Sequence, residues 1–345
     1  MLIKITKKIK IEIGKKPLLI AEISANHGGS KKKFLQHILE AHKAGADMIK
    51  IQTYEANDIT IKKYSDKVKI KKGIWKNKSP WQIYKKAQTP YSWHNDAFKL
   101  AKKINAVLFS TPFSLKSVDF LEKFKVPIYK IASLEITDLN LIGYVASKKK
   151  PIILSTGLAS YKDIKTAVDL IKKYHNKIII LHCVSGYPTP LSEINLLRIE
   201  LIKEKFNTKF VGLSDHTVSD EASLGSIFYG SCLIEKHFTL NKKSLDGKFS
   251  LLPNEFKDLS SKVHHYHKMI GERKFYLKKS EKVNLSQRRS IFSTKDIDKG
   301  EKFTSSNVAN FRPFVGVNSN LIFKVLGSKS KKKIKAFSSI KKNMF

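Results

Sequence analysis

Eight apolar runs of strand length punctuate the chain: Leu18–Ser24, Met48–Thr53, Ala106–Thr111, Ile128–Ala132, Pro151–Ser155, Ile178–Cys183, Phe210–Ser214 and Ser231–Phe238. Stretches of helical periodicity alternate with them, at Lys31–Ala44, Asn95–Ile104, Ser117–Phe124, Tyr161–Tyr174, Leu191–Glu204, Val218–Tyr229 and Pro253–Met269. Strands joined by helical crossovers run parallel, and parallel strands that are apolar throughout must be covered on both faces. Eight such units predict an α/β fold whose sheet closes on itself, a (β/α)8 TIM barrel. One interval breaks the rhythm. Glu55–Trp93, rich in lysine and aromatic residues, is too long for an ordinary loop and predicts a flap over the barrel mouth or part of an interface.

Composition narrows the class. Apolar residues make up 41% of the 345, which suits a globular chain with a large core. The formal charge of +37 invites nucleic acid, yet only five of the 66 basic residues are arginine and the lysines are scattered. Base and phosphate recognition draws on arginine forks, so no nucleic-acid partner is expected, and the charge favours small anions. No apolar run approaches the ~20 residues of a membrane span. Residues 1–16 alternate like a β-hairpin or cap and lack the apolar segment of a signal peptide, so no membrane association and a cytoplasmic location are expected. Cys183 and Cys232 sit inside predicted buried strands and read as reduced core thiols. Beyond the barrel, residues 17–270, the texture changes. Residues 271–286 read as a charged linker, and 287–345 as a small β-rich module too short to be comfortable alone.

In a closed barrel, chemistry gathers where the strands end. Lys50 and Lys130 stand inside apolar runs, where a lone ammonium is costly. The hydroxyls of Ser110, Thr111, Ser133, Ser155 and Ser214 occupy neighbouring strand ends, and with the lysines they read as a cradle for a phosphorylated, carboxylated anion. His216 and His237 end two runs separated by one helical crossover. They therefore stand at the same end of adjacent strands and can converge on a divalent transition metal. Strand-end histidines are also commonly satisfied by hydrogen bonds alone; the polar rim around these two favours the metal. Glu22, Glu135 and Asp246 supply carboxylates for a metal or for proton transfer.

Several runs are specific beyond their chemistry: Ala21-Glu-Ile-Ser-Ala-Asn-His, Lys50-Ile-Gln-Thr-Tyr, Phe109-Ser-Thr-Pro-Phe, Tyr129-Lys-Ile-Ala-Ser, Leu154-Ser-Thr-Gly, Leu181-His-Cys with Tyr187-Pro-Thr-Pro, Gly212-Leu-Ser-Asp-His-Thr and Glu235-Lys-His-Phe-Thr. Through them the chain resembles the sialic acid synthase family, which condenses phosphoenolpyruvate with an amino-sugar aldehyde and releases phosphate. The resemblance continues into the C-terminal module, which is similar to the antifreeze-like (SAF) domain of these synthases. It implies a divalent metal, usually manganese with magnesium or cobalt as alternatives, on His216 and His237 with Glu22 close by. Phosphoenolpyruvate contacts are implied for Lys50, Thr111, Lys130, Ser133, Ser155 and Ser214, and sugar contacts for Gln52, Glu135, Tyr187 and Asp246. It also implies a homodimer in which Arg312 reaches the partner's site, although Phe314 stands where the family usually has glycine.

Ser24, Ser185, Leu240 and Phe249-Ser-Leu lean toward the pseudaminic acid branch, with Ser185 taken as a further substrate contact. Asn241–Leu245 lacks that branch's glycine-rich lead into Asp246. The expected reaction joins phosphoenolpyruvate to 2,4-diacetamido-2,4,6-trideoxy-altrose. The alternatives are the neuraminate and legionaminate reactions and, in a different class, a barrel that binds carbohydrate without catalysis.

Overall fold

The computed structural model describes residues 1–71 and 75–345; residues 72–74 of the expected flap lie outside the described residues. The chain divides into two compact units, Met1–Gly271 and Glu272–Phe345. In the first, β1 (Leu2–Lys4) and β2 (Lys10–Glu12) form an antiparallel hairpin. A closed parallel barrel follows: β3 (Leu18–Glu22), β4 (Met48–Thr53), β5 (Leu108–Pro112), β6 (Tyr129–Ile131), β7 (Ile152–Ser155), β8 (Ile178–Cys183), β9 (Val211–Asp215) and β10 (Leu233–His237), which pairs back to β3. The eight expected strands are thus all present.

The helices differ more from expectation. They are α1 (Lys31–Lys43), α2 (Ala56–Ile59), α3 (Lys62–Ser65), α4 (Pro80–Ala87), α5 (Tyr91–Lys103), α6 (Leu115–Glu122), α7 (Leu139–Ser147), α8 (Tyr161–Lys172), α9 (Leu197–Lys205), α10 (Glu221–Phe228) and α11 (Pro253–Ile270). Ser30, Ser114, Asp138 and Ser160 each accept a backbone N–H of the first turn, which fixes four of the starts. The single helix expected over Leu191–Glu204 is broken, because Asn195 adopts a left-handed conformation between a short 3-10 turn and α9. Helix α7 has no counterpart in the sequence reading; Leu141, Ile142, Val145 and Ala146 bury its core face. Among its described residues the interval 55–93 holds three short helices, α2 to α4, and the start of α5.

Side-chain alternation sorts the barrel into an outer core and an interior. Leu19, Ala21, Ile49, Ile51 and Ile234 point outward to the helices, as do Tyr129, Ile152, Leu154 and Ile180 farther round. Inward, the lower layer is apolar: Ile20, Met48, Phe109, Ile153 and Ile179 pack with Ile3, Ile5 and Ile11 of the hairpin, which plugs the bottom. Two residues further along, the same inward face becomes polar at Glu22, Lys50, Thr111 and Ser155, whereas β8 stays apolar through Leu181 and turns at Cys183. The bottom is therefore sealed for stability, and the open upper end carries the chemistry.

One buried ion pair lies on the outer face. Lys236 Nζ is 3.0 Å from Asp215 Oδ2 and donates to the Thr217 carbonyl at 2.6 Å, while Ser223 donates to the same carboxylate at 2.6 Å. Both charges are fully enclosed. Asp215→Ala strands the ammonium, and an unfolding midpoint in urea is expected to report a loss of about 3–5 kcal/mol.

The second unit has its own small core of Ile291, Ile297, Phe303, Val308, Val317, Val325, Ile334 and Ile340. Strands β11 (Ser290–Ser293) and β12 (Val308–Phe311) pair antiparallel across it. Gly316 passes so close to Ile340 that a Cβ would sit 2.4 Å from its carbonyl oxygen, so only glycine fits. Just past β12, Arg312 is exposed between Phe311, Phe314 and Val315, themselves exposed. Among the described residues, no helix is long and apolar enough to cross a membrane.

Candidate active site

Strand register assembles the floor of the site at the upper end of the barrel. It sets Glu22 beside Lys50 on one side and His237 on the other, and Ser214 beside both Cys183 and Glu235. Lys50 Nζ lies 2.6 Å from Glu22 Oε2 and 3.6 Å from Glu235 Oε1, and donates to Thr111 Oγ1 at 3.2 Å. Lys130 Nζ and Ser214 Oγ both donate to Glu235 Oε1 at 3.1 Å. Gln52 donates to Glu22 Oε1 and to Ser24 Oγ, holding the carboxylate from the mouth side.

Burial and charge compete inside this cluster. Burial opposes the ammonium of Lys50, but Glu22 and Glu235 outweigh it and raise its pKa. At Lys130 burial wins and the pKa falls. Burial pushes Glu235 up, yet the two lysines prevail and bring it to about 2, so it stays ionised. Burial raises Glu22 in spite of Lys50, and it raises Glu135 to about 7. The cost the sequence assigned to unpartnered lysines is thus met by carboxylates of the protein itself.

A row of hydroxyls borders the lysines. Ser133 Oγ accepts the Gly157 N–H at 3.0 Å, and a Cβ on Gly157 would meet Ser185 Oγ at 2.1 Å and Ser133 Oγ at 2.8 Å. Glycine here lets both hydroxyls converge on the same backbone. The hydroxyls of Ser155 and Ser185 are buried with no hydrogen-bond partner among the described residues. Buried donors without partners are the mark of a site awaiting acceptor oxygens.

The two histidines line the same cavity, with ring centroids 5.3 Å apart. His216 Nδ1 donates to the Val184 carbonyl at 2.9 Å, which in the neutral ring leaves the lone pair on Nε2; burial opposes protonation of this ring, but Cys183 outweighs it and raises its pKa. His237 Nδ1 is buried with no hydrogen-bond partner among the described residues, 3.9 Å from Asp246 Oδ2. Burial and the neighbouring His216 hold His237 neutral, as a ligand must be. Tyr187 and Phe249 wall the pair, with centroids 4.5 Å from His216 and 4.8 Å from His237 respectively. Asn26 secures the Asp246 loop: its carbonyl accepts the Asp246 N–H, and its amide donates to the Phe238 carbonyl and Ser250. Among the described residues no third His, Cys, Asp or Glu completes a metal site, so a cation here would draw its other ligands from water or substrate.

One cavity gathers Lys50, Gln52, Lys130, Ser133, Glu135, Ser155, Tyr187, Ser214, His216, His237 and Asp246, while Glu22 and Thr111 reach it through Lys50. Side chains of the 55–93 interval, among them Ile59, Trp75 and Tyr84, line the same cavity, so this interval covers the mouth. Ser110 is a correction. Its neighbour Thr111 points inward, so Ser110 points out, bonded to Thr53 and the Ile51 carbonyl, with Thr53 in turn bonded to His94. Cys183 is reduced and buried as expected, and it also lines the cavity, with Sγ 3.8 Å from His216 Nδ1. Arg312 belongs to the second unit.

Residues 37–275 match the NeuB family. The chain belongs to this family. As a NeuB chain it is 39% identical to the pseudaminic acid synthase of Campylobacter jejuni over 334 residues, covering 96% of this chain and 97% of that protein. It is 36% identical to the N,N'-diacetyllegionaminic acid synthase of the same species, covering 93% of this chain and 98% of that protein. In three dimensions it is similar to the N-acetylneuraminic acid synthetase of Leptospira borgpetersenii, with a TM-score of 0.74 and 30% identity over 84% of this chain and 96% of that one. The residue that sequence reasoning left out of this NeuB site is Glu235, the hub between the two lysines and Ser214. Strand period was the available signal: a residue two before an inward histidine must also point inward.

Proposed function

We propose that this chain is a nonulosonic acid synthase. It condenses phosphoenolpyruvate with an open-chain acetamido-sugar aldehyde, 2,4-diacetamido-2,4,6-trideoxy-altrose, to give pseudaminic acid and phosphate in the cytoplasm. The observation that carries this reading is the convergence, within one cavity, of a lysine–hydroxyl cradle and a pair of histidines. Relatives named pseudaminic acid synthase, aligned over nearly the whole chain, support the choice of sugar.

Lys50 and Lys130 hold the phosphate and carboxylate, with Thr111, Ser133, Ser155, Ser185 and Ser214 supplying hydroxyl donors. That fixes the methylene carbon of phosphoenolpyruvate toward the histidines. His216 and His237 would hold a manganese ion, which when bound polarises the aldehyde oxygen as a Lewis acid. The methylene carbon then forms a bond to the aldehyde carbon, whose oxygen gains a proton. Water adds to the cationic enol carbon and loses a proton, and the resulting tetrahedral carbon expels phosphate by carbon–oxygen cleavage to leave a keto acid. Glu135, with a pKa near 7, is suited to exchange a proton at that step. Gln52, Tyr187 and Asp246 orient the sugar, and Glu22 fixes Lys50. Phosphate release that requires both phosphoenolpyruvate and the diacetamido sugar is the expected result, whereas release without the sugar, or none with any acetamido sugar, would overturn the reading.

The active form is a homodimer in which Arg312 of one chain completes the partner's site. Its exposure among exposed apolar residues supports this, as does the exposed stretch 272–288 that leads to it. Mixing an Arg312→Ala chain with a His237→Ala chain tests the arrangement. Each is inactive alone, but a swapped heterodimer keeps one intact site, so random mixing should restore about a quarter of wild-type activity. No recovery despite confirmed heterodimers means the arm serves its own barrel.

A further inference from the structure

The cavity has two chemically different halves. Its floor, built by the strands, is charged and hydroxylated, whereas the side formed with the 55–93 interval is apolar. There Tyr54, Tyr84, Phe113, Ile59 and Leu245 form one continuous cluster. Tyr54 packs edge-on against Phe113 at 5.0 Å and Tyr84 at 6.1 Å. Trp75 extends the wall across the mouth: its indole lies 5.6 Å from the Tyr187 ring, which itself packs at a tilt against His216. The indole N–H is buried with no hydrogen-bond partner among the described residues.

Resting on the condensation reading above, we infer that this wall is the specificity element for the far end of the sugar. Trp75 is its key residue, and the wall selects an N-acylated, 6-deoxygenated chain over a polyhydroxylated one. The geometry leaves the sugar little choice of direction. Its aldehyde carbon must meet the methylene carbon held over the floor, so the rest of the chain extends away from the lysines toward the mouth. An acetamido methyl or a terminal methyl finds aromatic and aliphatic carbon there. A tail of hydroxyls meets mostly aromatic and aliphatic carbon on this wall and leaves some of its own groups unpaired, which is the costlier mismatch. The indole N–H, without a partner among the described residues, is a donor placed to meet one acetamido carbonyl, a group that a hydroxyl-only tail does not offer.

The test compares specificity constants for two open-chain sugars with phosphoenolpyruvate saturating. The 2,4-diacetamido-2,4,6-trideoxy sugar is expected to exceed 2-acetamido-2-deoxymannose by about 100-fold or more. In Trp75→Ala that ratio should fall about tenfold, through loss of the diacetamido substrate, while the apparent constant for phosphoenolpyruvate stays within about twofold. Trp75→Phe keeps an aromatic ring but not the N–H and should recover part of the loss, which separates a wall from a folding defect. Similar constants for the two sugars in the wild-type enzyme would sink the wall alone, as would an unchanged ratio in Trp75→Ala. Release of phosphate with neither sugar would sink the condensation reading, and this inference with it.

Discussion

Alanine at His216 or at His237 is expected to abolish turnover and to weaken manganese binding by more than about 100-fold. Even the partners that merely orient a metal ligand are worth 10- to 100-fold in affinity. Here the described residues provide two imidazoles and no third side-chain ligand, so either loss removes half of the protein's hold. The two rings differ in support. His216 is oriented by the Val184 carbonyl, whereas His237 Nδ1 is buried with no hydrogen-bond partner among the described residues, so a bound cation would satisfy a group that solvent does not reach. Metal content after dialysis and activity after chelation give independent readings. Chelator treatment should silence the wild type and manganese should revive it, while the alanine variants keep little metal and do not revive. Full activity in metal-free enzyme would refute the assignment.

Lys130→Ala and Lys50→Ala should raise the apparent constant for phosphoenolpyruvate by about 10- to 100-fold, the scale of a lost charged hydrogen bond. The constant for the sugar should move by less than about threefold. The reason lies in the floor's charge balance. Two ammonium groups face two carboxylates, with Glu235 shared between both lysines, so a substrate anion must compete for the lysines. Without Lys130, Glu235 retains the Ser214 hydroxyl and, as a cation, only Lys50 at 3.6 Å, and becomes a poorly compensated negative charge beside the incoming phosphate. A shift in the sugar constant with phosphoenolpyruvate unaffected would mean that the two half-sites are reversed.

Much of this was legible before any coordinates, because strand composition and strand ends carry the barrel. Met48-Ile-Lys-Ile and Ile128-Tyr-Lys-Ile announce buried lysines, and the single crossover between His216 and His237 forces them together. What escaped depended on orientation. Ser110 and Thr111 are equally polar in sequence, and only the inward turn of Thr111 decides which serves the cavity. His27 and His182 also follow apolar runs, yet His27 packs on Phe34 and Trp93 and His182 bonds the Ile194 carbonyl, so neither faces the cavity. Glu235 was visible as a motif residue but not as a hub, since its partners come from three other strands. The apolar wall was least legible, because the interval 55–93 lacks strand or long-helix periodicity and its role emerges only where it meets the barrel mouth.

The most direct measurement of the central claim follows the bridging oxygen of phosphoenolpyruvate. With that oxygen isotopically labelled, and the diacetamido sugar and manganese present, phosphate should appear in step with the keto-acid product and should carry the label, because carbon–oxygen cleavage sends it there. Phosphate without label would contradict the mechanism, and failure to form any condensed product would contradict the function.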